Sequence, residues 1–368
     1  MIKRLLTRSA EGIAKRTDRV FVERFIKVNR TSGALRRVPE DEHRGRIDTL
    51  ERWTSPLSSP EFFEVPDAFF PTPSEVFAEL VEVARKGDRR TLEWSWRSRF
   101  ELFHSELART YDTRANRTAR ARFITRSSGA SPRPVVICVH GYRGGYFAME
   151  ERVWPVDIFL DAGFDVALFV LPHHGPRMEK GSKRPLIPSA DVRLTVDAMR
   201  QAIFDLRALM QLLERRGVPA VGVAGMSLGG YVTALSATVE PRLAFAIPTI
   251  PMASFADFGR DQDTFPGTPS QRRDLYVALE DMTRVVSPLA RPLTLPSAHV
   301  LVVAGDVDHV TPKAHAEKLS RHFGARMTTF GGGHLLQFGL GSVLKRAAEE
   351  IMWPGVRRID PQASNEQT

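Results

Sequence analysis

The sequence predicts an α/β fold, a mostly parallel sheet covered by helices on both faces, and three observations carry that expectation. From residue 134 onward, short and fully apolar runs alternate with longer amphipathic segments, the pattern of strands buried on both faces. One of those runs, Ala220 to Ala224, passes through Gly225-Met226-Ser227-Leu228-Gly229 directly into an amphipathic segment that begins at Tyr231. Four of the other five runs end in glycine-bearing turns that carry histidine or aspartate. Open α/β sheets bind ligands at such strand ends.

The elements follow in order. Residues 1 to about 30 predict a basic amphipathic helix, with Ile2, Leu5, Leu6, Ile13, Val20, Phe21, Phe25 and Ile26 separated by charge. This stretch holds nine Lys or Arg against three acids, so six of the chain's nine excess positive charges lie in it. Such a helix suits either packing on the protein body or peripheral contact with an anionic membrane surface. Residues 31 to 60, with Ser55-Pro56-Leu57-Ser58-Ser59-Pro60, read as a linker or surface loop. Phe62-Phe63 and Phe69-Phe70 are expected to dock against the core. A helix is expected from Pro73-Ser74, with Val76, Leu80, Val83 and Ala84 at helical spacing.

The period then changes to two. Leu92, Trp94 and Trp96 alternate with polar residues, as do Ala119, Ala121 and Phe123. These predict an antiparallel pair at the sheet edge. Parallel strands are expected at 134–140, 164–171, 219–225, 243–249, 298–304 and 325–330. The clearest helix spans Ser189 to Arg216, with Val192, Val196, Met199, Ile203, Leu206, Met210 and Leu213 on one stripe; Gly217 and Pro219 stop it. The expected organisation is an N-terminal helical extension over 1–85, an α/β domain over 86–355 containing a small cap-like excursion at 250–297, and a loose tail at 356–368.

Composition narrows the function classes. With 368 residues and 42% hydrophobic content, the chain can bury a large core. No apolar run approaches a membrane span, and the basic start is not followed by the apolar block of a secretory signal. A cytoplasmic, at most membrane-peripheral, location is the expectation. The single cysteine, Cys138, sits in an apolar run and is expected to pack as a small hydrophobe. No recognition motif or aromatic stacking pattern accompanies the basic residues, so nucleic acid is not an expected partner. His173-His174 have no third ligand nearby at metal spacing, and neither a metal nor a cofactor is expected.

The chemistry gathers at the strand ends. A Gly-x-Ser-x-Gly turn between strand and helix holds a serine hydroxyl clear of the sheet, which makes Ser227 the candidate nucleophile. The amide of Leu228 opens the following helix, and with the amide of Tyr142 in His140-Gly141-Tyr142-Arg143-Gly144-Gly145 it forms a candidate oxyanion hole. Asp308, in Gly305-Asp306-Val307-Asp308, is the preferred acid, with Asp257 or Asp261 as rivals. His334, after Gly331-Gly332-Gly333, is the candidate base. Serine, acid and histidine fall in the chain order of a hydrolase triad on such a sheet. His140, Gly141, His173, His174 and Met226 are candidate substrate-lining residues, with His140 better suited to organising its loop than to acting as base.

Residues 134 to about 353 resemble the α/β-hydrolase superfamily through His140-Gly141, Gly225-Met226-Ser227-Leu228-Gly229, Gly305-Asp306-Val307-Asp308 and Gly333-His334. The resemblance implies an eight-stranded sheet whose second strand is antiparallel, a Ser-His-Asp triad, and hydrolysis through an acyl-enzyme. It does not extend to residues 1 to about 85. His173-His174-Gly175-Pro176-Arg177 also departs from the Arg-Gly-x-Gly-x-Ser common at that position. The expected function is a carboxylesterase- or lipase-like serine hydrolase acting on a small-molecule or lipid ester, or a thioester. A peptidase or amidase, an acyltransferase with the same triad, and a non-catalytic binding protein of the same fold are the alternatives.

Overall fold

The computed structural model describes residues 2–23, 37–127 and 132–359, with side chains from residue 11 onward in the first segment. Its strands are β1 (Ala78–Lys86), β2 (Arg89–Arg97), β3 (Thr118–Arg126), β4 (Val135–Val139), β5 (Asp165–Phe169), β6 (Val221–Met226), β7 (Ala246–Thr249), β8 (Leu301–Gly305) and β9 (Arg326–Phe330). The longer helices are α1 (Ile2–Phe21), α2 (Glu40–Thr54), α3 (Val192–Glu214), α4 (Leu228–Val239), α5 (Pro269–Thr283), α6 (Lys313–Phe323) and α7 (Leu340–Ala347). All strands join one sheet in the order β1-β2-β3-β5-β4-β6-β7-β8-β9. The pairs from β1 through β3 to β5 are antiparallel, and the rest are parallel.

The central strands are apolar throughout because both of their faces are covered. In β4, Val135, Ile137 and Val139 enter one core cluster, while Val136 and Cys138 enter the other. The first cluster includes the apolar stripe of α3 and most of α4, and the second includes the buried side of α7. Helix α3 starts where Asp191 accepts a hydrogen bond from the amide of Arg193, a side-chain cap on the first turn.

Among the described residues the sheet has nine strands, one more than the resemblance implies. The extra one is β1, which occupies the stretch whose spacing predicts a helix from Pro73-Ser74. The chain reverses at Gly87-Asp88, with Gly87 at φ +60° and Lys86 opposite Arg89, so a two-residue hairpin turn commits Ala78–Lys86 to pairing with β2. The β-branched Val81 and Val83 suit that strand, and the spacing of Leu80, Val83 and Ala84 is coincidental. The expected antiparallel pair, β2 and β3, therefore lies one strand in from the edge. The sheet also starts at Ala78, inside the segment expected to be helical extension.

The extension is laced onto α3 through backbone carbonyls. Arg200 Nε donates to Phe69 O at 2.8 Å, Arg207 to Phe70 O, and Gln211 Nε2 to Pro73 O at 2.8 Å. Phe69 and Phe70 are buried as expected. Residues 40–54, expected as linker, form α2, which packs on α5, in the stretch expected as a cap-like excursion. There His43 Nε2 lies 3.0 Å from Asp274 Oδ2, and Gln271 Nε2 donates to Val38 O at 3.1 Å. The tail does not loosen at residue 356: a helix runs Trp353–Ile359 and buries Val356 in the second cluster. Residues 360–368 lie outside the described residues.

Helix α1 docks on the opposite face from the one its periodicity suggests. Ala14, Asp18 and Val22 are buried, whereas Ile13 and Val20 are 55% and 52% exposed. Phe25 and Ile26 of the expected stripe lie outside the described residues, as do the side chains of Ile2, Leu5 and Leu6.

Candidate active site

Ser227 follows β6 at φ +58°, ψ −115°, a backbone conformation that costs an L-residue on the order of 1–3 kcal/mol and survives only where its surroundings impose it. Here they do. A Cβ on Gly225 would lie 2.1 Å from the carbonyl oxygen of Gly229, and one on Gly229 would lie 2.1 Å from that of Val139. Both positions must be glycine for the strand, turn and helix to approach this closely. The Ser227 amide donates to Thr249 O at 3.0 Å, and its carbonyl accepts from Tyr231 N to open α4. Its side chain caps no helix amide, so the hydroxyl of this half-buried residue is not tied into the helix. The amide of Leu228, in the first turn of α4, has no intrahelical partner.

The loop after β4 lies against this turn. A Cβ on Gly141 would sit 3.2 Å from Ser227 Cβ and 3.8 Å from its Oγ. His140 braces the loop from below. Its Nδ1 donates to Gly141 O at 2.8 Å, and its Nε2 accepts from Leu171 N at 3.1 Å. Burial pushes this imidazole down to about 3, so the ring is neutral and its lone pair is engaged. That geometry suits the loop-organising role and leaves neither ring nitrogen for substrate.

After β8, Asp308 Oδ1 accepts from the amides of Val310 and Thr311, each at 2.8 Å. Its Oδ2 lies 2.8 Å from His334 Nδ1 and 3.1 Å from Thr311 Oγ1, which also donates toward Ile250 O at 2.9 Å. A histidine nitrogen facing a carboxylate carries the proton, which leaves Nε2 as the acceptor. Burial favours the neutral imidazole, but the charge of Asp308, the hydrogen bond to it and the charge of Asp18 outweigh burial and raise His334 above its ordinary 6.5. The rival acids are engaged elsewhere. Asp257 is bonded to Tyr276 and Lys318, and Asp261 to Arg260 and His315.

The sheet thus brings a serine, an aspartate–histidine pair and a glycine-rich loop to the carboxyl ends of β6, β8, β9 and β4. The alpha/beta hydrolase domain containing 18 family matches residues 101–257. Two curated relatives, uncharacterized proteins from two strains of Mycobacterium tuberculosis, are each 31% identical over 208 residues, covering 55% of this chain and 50% of the relative. The chain therefore spans about half the length of the curated relatives it matches. Among solved structures, an acetyl xylan esterase from Paenibacillus sp. superposes with a TM-score of 0.54 at 15% identity, over 86% of this chain and 96% of that one. Acetyl xylan esterase 1 from Thermoanaerobacterium sp. gives 0.52 at 17% identity, over 86% and 99%. The chain has the α/β-hydrolase fold, and over residues 101–257 it is similar to an alpha/beta hydrolase domain family.

Several polar residues serve the frame around the site. His173, at φ +58°, accepts from Asn116 Nδ2 at Nε2 and donates its amide to Asn116 Oδ1. His174 is buried, donates from Nδ1 to Pro172 O at 2.8 Å, and is pushed by burial down to about 4. Among the described residues its Nε2 has no hydrogen-bond partner. Arg177 is buried between Asn116 O, Val170 O and Asp205 Oδ2. Met226 is a correction to the substrate-lining set, because its side chain is buried in the second core cluster with Ile247 and Phe330.

Two residues beside the aspartate–histidine pair were not anticipated. Thr311 could have been found in Asp308-His309-Val310-Thr311, since a threonine three residues after an acid often joins its turn. The other is Asp18 on α1. It is fully buried, and its carboxylate accepts from the amides of His334 at 2.7 Å and Leu335 at 3.0 Å. Its only trace in the sequence is that an acid shares a helical face with Ala14 and Val22.

Proposed function

We propose that the protein is a serine hydrolase that cleaves a carboxylic ester or thioester through an acyl-enzyme on Ser227. The observation that carries this reading is the 2.8 Å contact between His334 Nδ1 and Asp308, together with the strained turn that keeps the Ser227 hydroxyl off the helix. In this reading His334 Nε2 takes the Ser227 proton as Oγ attacks the carbonyl carbon. Asp308 holds the tautomer and stabilises the imidazolium. The amides of Leu228 and Tyr142 receive the developing oxyanion. The imidazolium returns its proton to the leaving alcohol or thiol, and water activated by the same nitrogen then releases the acid.

The test is covalent labelling with a fluorophosphonate probe. The wild-type protein is expected to be labelled and Ser227→Ala to stay unlabelled. A folded wild type that resists the probe would sink the reading. A nitrophenyl ester series of increasing acyl length would then order substrates.

A second reading concerns location. Ile13, Arg16 and Val20 are exposed on one side of α1, flanked by exposed Lys15 and Arg19, a surface suited to an anionic bilayer. Co-sedimentation with phosphatidylserine-containing vesicles should fall when Lys15, Arg16 and Arg19 are all replaced by Glu. Equal sedimentation of both proteins would remove this role.

A further inference from the structure

We propose that Asp18 of α1 is a positioning residue of the active site, whose carboxylate clamps the loop of Asp308 to the loop of His334. This inference rests on the serine-hydrolase reading for its kinetic consequences, and its geometry stands apart from that reading.

One carboxylate meets the histidine's backbone and the loop that carries the acid. Asp18 Oδ2 accepts from the amide of His334 itself at 2.7 Å, and more distantly from His309 N, the residue after Asp308, at 3.4 Å. Its Oδ1 accepts from Leu335 N at 3.0 Å. Hydrogen bonds from backbone amides to an ionised acceptor are among the stronger ones available to a protein. The acceptor here is delivered by a helix 316 residues away in sequence.

A second observation shows that the loop is built to receive this group. A Cβ on Gly333 would lie 2.4 Å from Asp18 Oδ2 and 3.0 Å from its Cγ. Gly333 is therefore the seat of the carboxylate. The two neighbouring glycines have other reasons or none: a Cβ on Gly332 would strike Leu336 O at 2.4 Å, and one on Gly331 would meet nothing within 4 Å. Backbone bonds from the loop after β8, Asp306 N to Phe330 O and Val307 N to Gly332 O, hold the end of β9 and the start of this loop, both upstream of the histidine. Asp18 holds the part that carries the ring.

The charge also acts on the reaction. The charged groups that face His334 are Asp308 from the loop after β8 and Asp18 from α1, and both favour its imidazolium. A general base works in its neutral form, so kcat/KM should fall on the acid side as pH drops through the His334 pKa. Removing the Asp18 charge moves that limb to lower pH, because less negative charge then opposes deprotonation.

The experiment uses the full chain with D18N, D18A, G333A and the double variant G333A/D18A. D18N should lower kcat about 10- to 100-fold with little change in KM, in line with the cost of a misplaced base. The acid limb of the pH profile should move down, as should the titration of the His334 ring followed by nitrogen-15 NMR. G333A should be strongly destabilising where Asp18 is present and nearly silent in D18A, since the collision is then gone. That cycle is read by thermal unfolding and needs no turnover. Additive effects of G333A and D18A, or a D18N protein whose acid limb and ring titration are unmoved, would overturn the proposal. A D18N protein with only a lowered melting temperature would do the same. If the wild type resists fluorophosphonate, the serine reading fails by itself, and the ring titration and the cycle still decide whether Asp18 positions His334.

Discussion

The turn that presents Ser227 and the loop that presents His334 end neighbouring parts of one sheet, yet they are held in different ways. The serine turn is fixed by backbone against backbone, Gly225 on Gly229 and Gly229 on Val139, with the parallel pairing of β4 and β6 directly beneath. Its partners are strands that any version of this sheet would place there. The histidine loop instead depends on side chains brought from outside its own strands: Asp308 and Thr311 from the β8 loop and Asp18 from the far N-terminal helix. A turn built from backbone contacts is rigid by construction. A histidine held by carboxylates can be tuned, in position and in proton affinity, by whatever helix delivers them; in the proposed mechanism the first would carry the nucleophile and the second the base.

The largest effect that separates the two modes is expected at the serine turn. A methyl group at Gly229 would fall 2.1 Å from Val139 O and 2.6 Å from His140 O, and backbone cannot yield as a flexible side chain does. Gly229→Ala should lose about 1–3 kcal/mol of stability, the usual cost of overpacking, and on the order of 10²–10³ in kcat, the cost of an oxyanion donor moved out of place. Urea unfolding and ester kinetics would measure both. A fully active, equally stable G229A protein would mean that the turn is not held by this contact.

The same contrast explains what the sequence disclosed. Ser227, Asp308 and His334 stand in local signatures, each a strand running into a glycine-bearing turn, and the apolar runs from residue 134 onward place all six parallel strands. The partners of the histidine loop are less legible, because a single acid in a basic helix says nothing about which loop it will reach 316 residues later. Helix α1 shows why periodicity alone misleads there. Ile13 and Val20 advertise an apolar face, but the buried face is Ala14, Asp18 and Val22, selected by three amides that need an acceptor. Strand β1 was hidden for a different reason. Its only strong marker is the Gly87-Asp88 turn, and four residues with helical spacing precede it.

The smallest effect is expected at Thr311, the closest local support of the histidine loop. Its hydroxyl has one proton and three neighbours: Ile250 O at 2.9 Å, Asp308 Oδ2 at 3.1 Å and His334 Nδ1 at 3.2 Å. Asp308 does not depend on it for orientation, because Oδ1 is held by the amides of Val310 and Thr311, and both survive substitution of the side chain. Thr311→Val keeps the shape and removes one hydrogen bond, worth about 1 kcal/mol, so kcat/KM should fall by less than about tenfold. The loss should be smaller than that of D18N, although Thr311 touches the side chains of both Asp308 and His334, whereas Asp18 touches the backbone of His334 and, more distantly, that of His309. A T311V protein impaired more than D18N would reverse that ranking: the loop would then be held by its own turn, and the difference between the two regions would reduce to local packing in both.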